Sequence, residues 1–369
     1  MTNTLHIPSI MQIDASEIPG QIYHNCIRKK WVLLIHGAVG IGKSSVVSQT
    51  FAKYGATKKR GNFVDMRVSQ WDAVDTRGIP DIDIANKLTQ WNMPGVLPFI
   101  GNPRFAQFAN DEDIIGLFLD EITAGSKAIT AALYQLLNDG CLGEHVLMPN
   151  VCIVAATNRE SDKGIVNPLP TPTKNRVISV EMGLSADAFC AKAIEAGFAL
   201  GAAYISFRPH MLSTFEIWDE KSKRFIVTPD MTFSTPRSLF KIFETWDDDA
   251  MTLREKTISI CGSVGVGVGN DFIGFANIKS SIIPIKKILA DPKGCELPQE
   301  ASLRHAVACN ISGNMKTSNV DKLAIYLDRM DPEMTILAWK LALRRDDELF
   351  ETAAYETYAS QYADVFGAR

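Results

Sequence analysis

The run Gly37-Ala38-Val39-Gly40-Ile41-Gly42-Lys43-Ser44 has the spacing G-x-x-x-x-G-K-S/T, and Ser45 follows it. Glycines without a Cβ let successive backbone N–H groups converge on phosphate oxygens at a helix N-terminus. Lys43 adds a cation for the β- and γ-phosphates, and the Ser44 hydroxyl is a ligand for Mg²⁺. A second group is the acidic pair Asp120-Glu121, directly after the apolar run Ile114 to Leu119. Asp120 there can hold Mg²⁺, and Glu121 can orient and deprotonate an attacking water, as phosphoryl transfer requires. A third is Asn158, which closes the apolar run VCIVAATN and whose amide can reach the γ-phosphate or the water. The chemistry these residue types share is hydrolysis of ATP with Mg²⁺.

Such residues act only if the chain positions them. Trp31 to Gly37 is an apolar run of buried-strand type, and Val46, Val47, Thr50, Phe51 and Tyr54 recur at helical spacing as far as Gly55, a C-cap. Strand, glycine turn and helix is the order a phosphate loop needs. Residues 62–68 alternate like a second strand, while 113–121 and 151–158 are short apolar runs suited to a parallel sheet. An acidic pair at the carboxyl end of such a strand shares the loop's edge of the sheet. Residues 69–111, with RGIPDI, WNMPGVLP and GNPR, are long enough to carry structure of their own. From about 184 the periodicity is helical, interrupted by a hairpin pattern at WDEKSKRFIVTP. The expected organisation is a polar arm over 1–20, an α/β core over 21–182, and a helical region over 183–369.

The order GAVGIGKSS, LFLDE, VAATN, LPTPTKNR, STPRS resembles the AAA+ ATPases, and within them the MoxR-like branch, which carries an insertion in the second helix. The resemblance implies a P-loop core with a parallel sheet flanked by helices, followed by a mainly α-helical lid and C-terminal extension. It makes 69–111 the helix-2 insertion, the glycine loop Walker A and LFLDE Walker B. It places Asn158 at sensor 1, Arg176 at the arginine finger that acts on a neighbouring subunit, and Arg237 at sensor 2. Asn175 stands where most MoxR-like proteins have Asp, and Lys174 is the rival to Arg176. Sensor 2 on a lid can act in cis or in trans, and the resemblance admits both for Arg237.

Length and composition agree with a folded multidomain protein. The 369 residues are 46% hydrophobic and 22% charged, and 38 basic against 42 acidic residues leave a net charge of −4. Nothing global marks a polyanion as partner; Lys53, Lys58, Lys59 and Arg60 form a short basic cluster with little aromatic interleaving, expected to be a solvated loop, with nucleic-acid contact the lesser alternative. Seven scattered cysteines without a CxxC pair and six histidines without HExxH argue against a disulfide framework and a zinc site. No apolar stretch is long enough to span a bilayer, and a cytoplasmic location is expected. The Gly262–Gly269 run lacks the strand–turn–helix frame of a dinucleotide loop and is expected to be a hinge or a close-packed segment.

The leading expectation is therefore an ATP-hydrolysing ring, a hexamer, acting as a chaperone that remodels or activates a protein partner. The resemblance implies a partner with a von Willebrand factor A domain. A nucleic-acid motor or loader is the alternative, disfavoured by the acidic balance. A nucleotide-dependent scaffold is a third reading, against which the full set Lys43, Ser44, Asp120 and Glu121 argues.

Overall fold

The computed structural model describes residues 10–110, 112–159, 171–219, 224–277 and 281–362. The chain forms two compact units, Met1–Gly183 and Leu184–Arg369.

The first unit is built on a six-stranded sheet. Its strands are β1 (Met11–Ile13), β2 (Val32–His36), β3 (Phe63–Arg67), β6 (Ile115–Asp120), β9 (Val151–Thr157) and β10 (Val177–Met182). They lie in the order β1-β10-β2-β9-β6-β3, and every pairing is parallel. All seven residues of β9 are buried, as are the first five of β6, because central parallel strands are covered on both faces. A short helix, α1 (Ile18–Gln21), lies between β1 and β2 in the chain. Helix α2 (Lys43–Lys53) and helix α4 (Lys127–Asp139) supply part of the cover over the sheet. Phe51 of α2 lies against Phe63, and Leu133 and Leu136 of α4 join the cluster that contains Leu117 and Leu119. Gly116 allows this closeness, since a Cβ there would stand 2.8 Å from both Phe51 and Phe63. Met11–Ile13, within the stretch expected to be a polar arm, adds the edge strand: Ile13 is buried and the other two are exposed.

The long stretch before β6 has two parts. Its first part holds α3 (Ala73–Arg77) and an antiparallel hairpin of β4 (Ile79–Asp83) and β5 (Leu88–Asn92), whose residues are mostly exposed. Its second part returns to the core, burying Leu97, Phe99, Phe105 and Phe108. After α4, Cys141–Leu142 (β7) and His145–Val146 (β8) form a short hairpin that precedes β9. Glu144 in its turn accepts a hydrogen bond from the Trp91 backbone N–H at 3.1 Å, tying the two hairpins together. A four-residue helix, α5 (Thr171–Lys174), leads into β10.

The second unit is mainly helical, with a two-stranded hairpin of β11 (Glu216–Asp219) and β12 (Arg224–Val227). Helices α6 (Ala186–Glu195), α7 (Ala199–Phe207), α8 (Pro236–Asp247), α9 (Leu253–Val264) and α10 (Val266–Ala276) surround an aromatic core of Phe189, Tyr204, Phe243 and Phe272. The glycine-rich run expected to be a hinge or a packed segment is the α9–α10 junction. Gly265 turns the chain with φ +88°, and Gly269 lets α10 pass so close that a Cβ would lie 2.9 Å from Cys261 Cα. Further helices gather around the buried Trp339 and Tyr326. An α/β core on a parallel sheet followed by a helical region is the fold class expected from the sequence. No helix among the described residues is long and apolar enough to cross a membrane.

Candidate active site

The glycine loop joins the carboxyl end of β2 to the N-terminus of α2. Gly40 and Gly42 have φ values of +76° and +100°, a region costly for residues with a Cβ. A Cβ on Gly37 would meet the Ile41 side chain at 2.5 Å. The N-cap residue of α2 is Gly42, which has no side chain to cap the first turn. Lys43 is buried, and its ammonium donates to Gly37 O at 2.8 Å, Ala38 O at 3.0 Å and Asn158 Oδ1 at 3.0 Å. Val39 is exposed at the crown of the loop, and Ala38 and Ile41 are buried beneath it.

The strand order explains how Asn158 reaches Lys43. β9 lies between β2 and β6, with His36 opposite Thr157, so the residue after Thr157 emerges beside the loop. β6 is one strand further out, and Asp120 at its end spans the gap: its Oδ2 accepts from Ser44 Oγ at 2.8 Å, and its Oδ1 accepts from the Glu121 N–H at 3.0 Å. A hydroxyl and a carboxylate oxygen in contact form a hard-oxygen pair of the kind Mg²⁺ prefers.

Glu121 adopts φ +56°, an unusual conformation for a residue with a side chain. The turn after it is held by Ile122 N–H to Ala156 O at 3.0 Å and by a 2.5 Å contact between the buried Thr123 and Thr157 hydroxyls. Its carboxylate accepts from Ser69 Oγ at 2.6 Å. Ser69 was not anticipated from the sequence, because no pattern links it to a residue 52 positions away. The register Arg67↔Asp120 between β3 and β6 is what puts the two side by side.

Lys43, Ser44, Asp120, Glu121 and Asn158 thus share the carboxyl edge of one sheet. Arg176 does not join them. It precedes β10, whose first residue, Val177, pairs with Val32, so it stands at the opposite edge from Gly37. There it is exposed and pairs with Asp139 Oδ1 at 3.0 Å at the end of α4. Lys174 and Asn175 beside it are exposed too, while Leu169 and Pro170 of the same motif lie outside the described residues. Arg237 belongs to the second unit, in the first turn of α8, where Thr235 forms a capping box with Ser238.

All seven cysteines are free, and no group of three or more His, Cys, Asp or Glu side chains suited to holding a metal occurs among the described residues. Burial pushes the Cys26 thiol up to about 12.

No family model matches the chain, and no curated protein matches it. Solved structures similar to it include Hsp104 in a closed state with ATPγS and FITC-casein, at 14% identity, 66% of this chain, 41% of that one and a TM-score of 0.35. NtrX from Brucella abortus is 12% identical over 88% of this chain and 67% of that one, with a TM-score of 0.32. A RuvB mutant from Thermotoga maritima is 15% identical over 81% and 80%, with a TM-score of 0.33. All three likenesses are distant. The chain spans about two fifths of the length of the Hsp104 chain it matches.

Proposed function

We propose that this protein hydrolyses ATP at the edge formed by Gly37–Ser45, Asp120, Glu121 and Asn158. The observation that carries the proposal is the pair of cross-strand contacts, Lys43 to Asn158 and Ser44 to Asp120, which join three separate sequence segments at one edge of the sheet. Backbone N–H groups of residues 37–45 cradle the phosphates, Lys43 balances their charge, and Ser44 and Asp120 hold Mg²⁺. When bound, Mg²⁺ neutralises charge developing on the phosphate oxygens. Glu121 takes a proton from the attacking water, which Asn158 helps to orient.

On this reading the protein is an AAA+ ATPase of MoxR-like type that works as a ring, a hexamer, on a protein partner, one with a von Willebrand factor A domain. Support for ring assembly comes from Arg176: it is exposed at the far edge of its own sheet, away from its own loop, and would exchange its pairing with Asp139 for a neighbouring subunit's nucleotide. For Arg237 the role is sensor 2, as the resemblance implies. The exposed β4–β5 hairpin in the insertion is the element offered to the partner.

The test is Glu121→Gln. Steady-state ATP turnover should fall by about 10²-fold or more, the typical contribution of a general base, while binding of a fluorescent ATP analogue is retained. Unchanged turnover would sink the assignment. The same variant, used as a trap under ATP in a pull-down from the native host, would identify the partner.

A further inference from the structure

We propose that the end of the α/β core opposite the phosphate loop binds single-stranded nucleic acid. From Ile18 to Arg60 the chain holds eight basic residues and no acidic one, in a protein whose net charge is −4. Lys43 is buried in the phosphate loop. The other seven fall in two sequence clusters, Arg28–Lys30 and Lys53–Arg60, and all seven are exposed.

The fold makes these two clusters one surface. Arg28–Lys30 lead into the N-terminal end of β2, and Lys53–Arg60 run from the end of α2 to the start of β3. In a parallel sheet both positions lie at the edge away from Gly37, about 16 Å off across five residues of β2. Tyr23, just before the first cluster, stacks on Tyr54 in the second with ring centroids 5.1 Å apart and planes at 12°, so the segments touch. Lys30 Nζ reaches Asn150 O at 3.4 Å, immediately before β9, which places it at the same edge.

Charge and aromatic content select the partner. Lys58 is paired with Asp65 and Arg60 with Asp113, but Arg28, Lys53 and Lys59 have no acidic partner among the described residues. Trp31 is 52% exposed with Lys29 Nζ 4.5 Å from its ring centroid, and Tyr54, next to Lys53, is 38% exposed. Cations that track a phosphate backbone beside partly exposed aromatic rings that can stack on bases are the two components of single-strand binding. A duplex would satisfy the cations and leave the rings without bases, and an acidic peptide would do the same. The proposal does not depend on ATP hydrolysis.

The experiment is fluorescence anisotropy of a fluorescein-labelled oligo-dT strand with the full chain, across a KCl titration. The unmodified chain should bind at low salt and release as salt rises. Arg28→Glu/Lys53→Glu/Lys59→Glu should weaken binding by about tenfold or more and make the log–log salt slope shallower by about 2, at ~0.7 for each phosphate no longer neutralised. The neutral variant Arg28→Gln/Lys53→Gln/Lys59→Gln should lie between the two and covers the case in which charge reversal prevents folding. Trp31→Ala should weaken binding by about tenfold with the slope unchanged, the signature of stacking rather than charge. ATP turnover should be unaffected in the two triple variants. Absence of binding at low salt, undiminished binding in both triple variants, or displacement by polyglutamate as effective as by unlabelled oligo-dT would each overturn the proposal, the last in favour of an acidic peptide.

Discussion

The Ser69 hydroxyl donates to Glu121 Oε2 at 2.6 Å, just past the ends of two paired strands, and so holds the proposed general base by its own carboxylate. The contact turns the Glu121 carboxylate toward Ser69, so the oxygen it engages is not offered to a water. Glu121 is also held by backbone, since its positive φ is enforced by the turn that follows.

Ser69→Ala should therefore raise basal ATP turnover by up to about tenfold, the equivalent of one charge-assisted hydrogen bond, with KM for ATP little changed. Steady-state kinetics decide this. Equal or slower turnover in the variant would show that the contact supports Glu121 rather than restrains it.

Arg176 and Lys43 stand at opposite edges of one sheet, so under the ring proposal each lesion disables a different partner of a shared site. Subunits carrying Arg176→Ala and subunits carrying Lys43→Ala should each be inactive alone, and mixtures should regain part of the turnover. Titrating one against the other is the measurement, and no recovery at any ratio removes Arg176 as a finger acting in trans.

Gly269→Ala should destabilise the helical unit by about 1–3 kcal/mol, because the new methyl meets Cys261 Cα, which is backbone and cannot rotate aside. Gly274→Ala, in the same helix with nothing within 4 Å of the added carbon, should instead stabilise by ~0.5–1 kcal/mol. Urea unfolding of both variants provides the comparison.

Stability should fall in alkali through a defined window. Burial raises the Cys26 and Cys190 thiols from 9.0 to about 12 in the folded chain. Above pH ~9 the unfolded chain loses these protons while the native one keeps them, so each thiol subtracts up to about 1.4 kcal/mol per pH unit between about 9 and about 12 and nothing below that window. Unfolding midpoints near pH ~8 and near pH ~10 should differ less in Cys26→Ala/Cys190→Ala than in the unmodified chain.

Much of the site was legible in the residues. Gly37–Ser45 is contiguous, and its proposed function follows from backbone geometry and a helix N-terminus that a few neighbouring residues encode. Asp120-Glu121 and Asn158 were readable because each ends an apolar run, and a run that must be buried reveals where its strand ends. The exposed β4–β5 hairpin was less legible: Ile79–Asp83 and Leu88–Asn92 carry no burial pattern, since both strands face water on most sides.

What the sequence by itself determined were the local pieces: the phosphate loop, the apolar strands, the helical second half, and a segment from Ile18 to Arg60 without acidic residues. Only the tertiary structure decided which pieces meet. It set β9 between β2 and β6 so that Asn158 reaches Lys43, aligned β3 with β6 so that Ser69 reaches Glu121, sent Arg176 to the far edge, and gathered two basic clusters beside Trp31. The physical reason is that covalent geometry and side-chain periodicity act over a few residues and are written in order along the chain. Pairing among parallel strands depends on burial over distances of tens of residues, for which many arrangements satisfy the same local pattern until packing selects one.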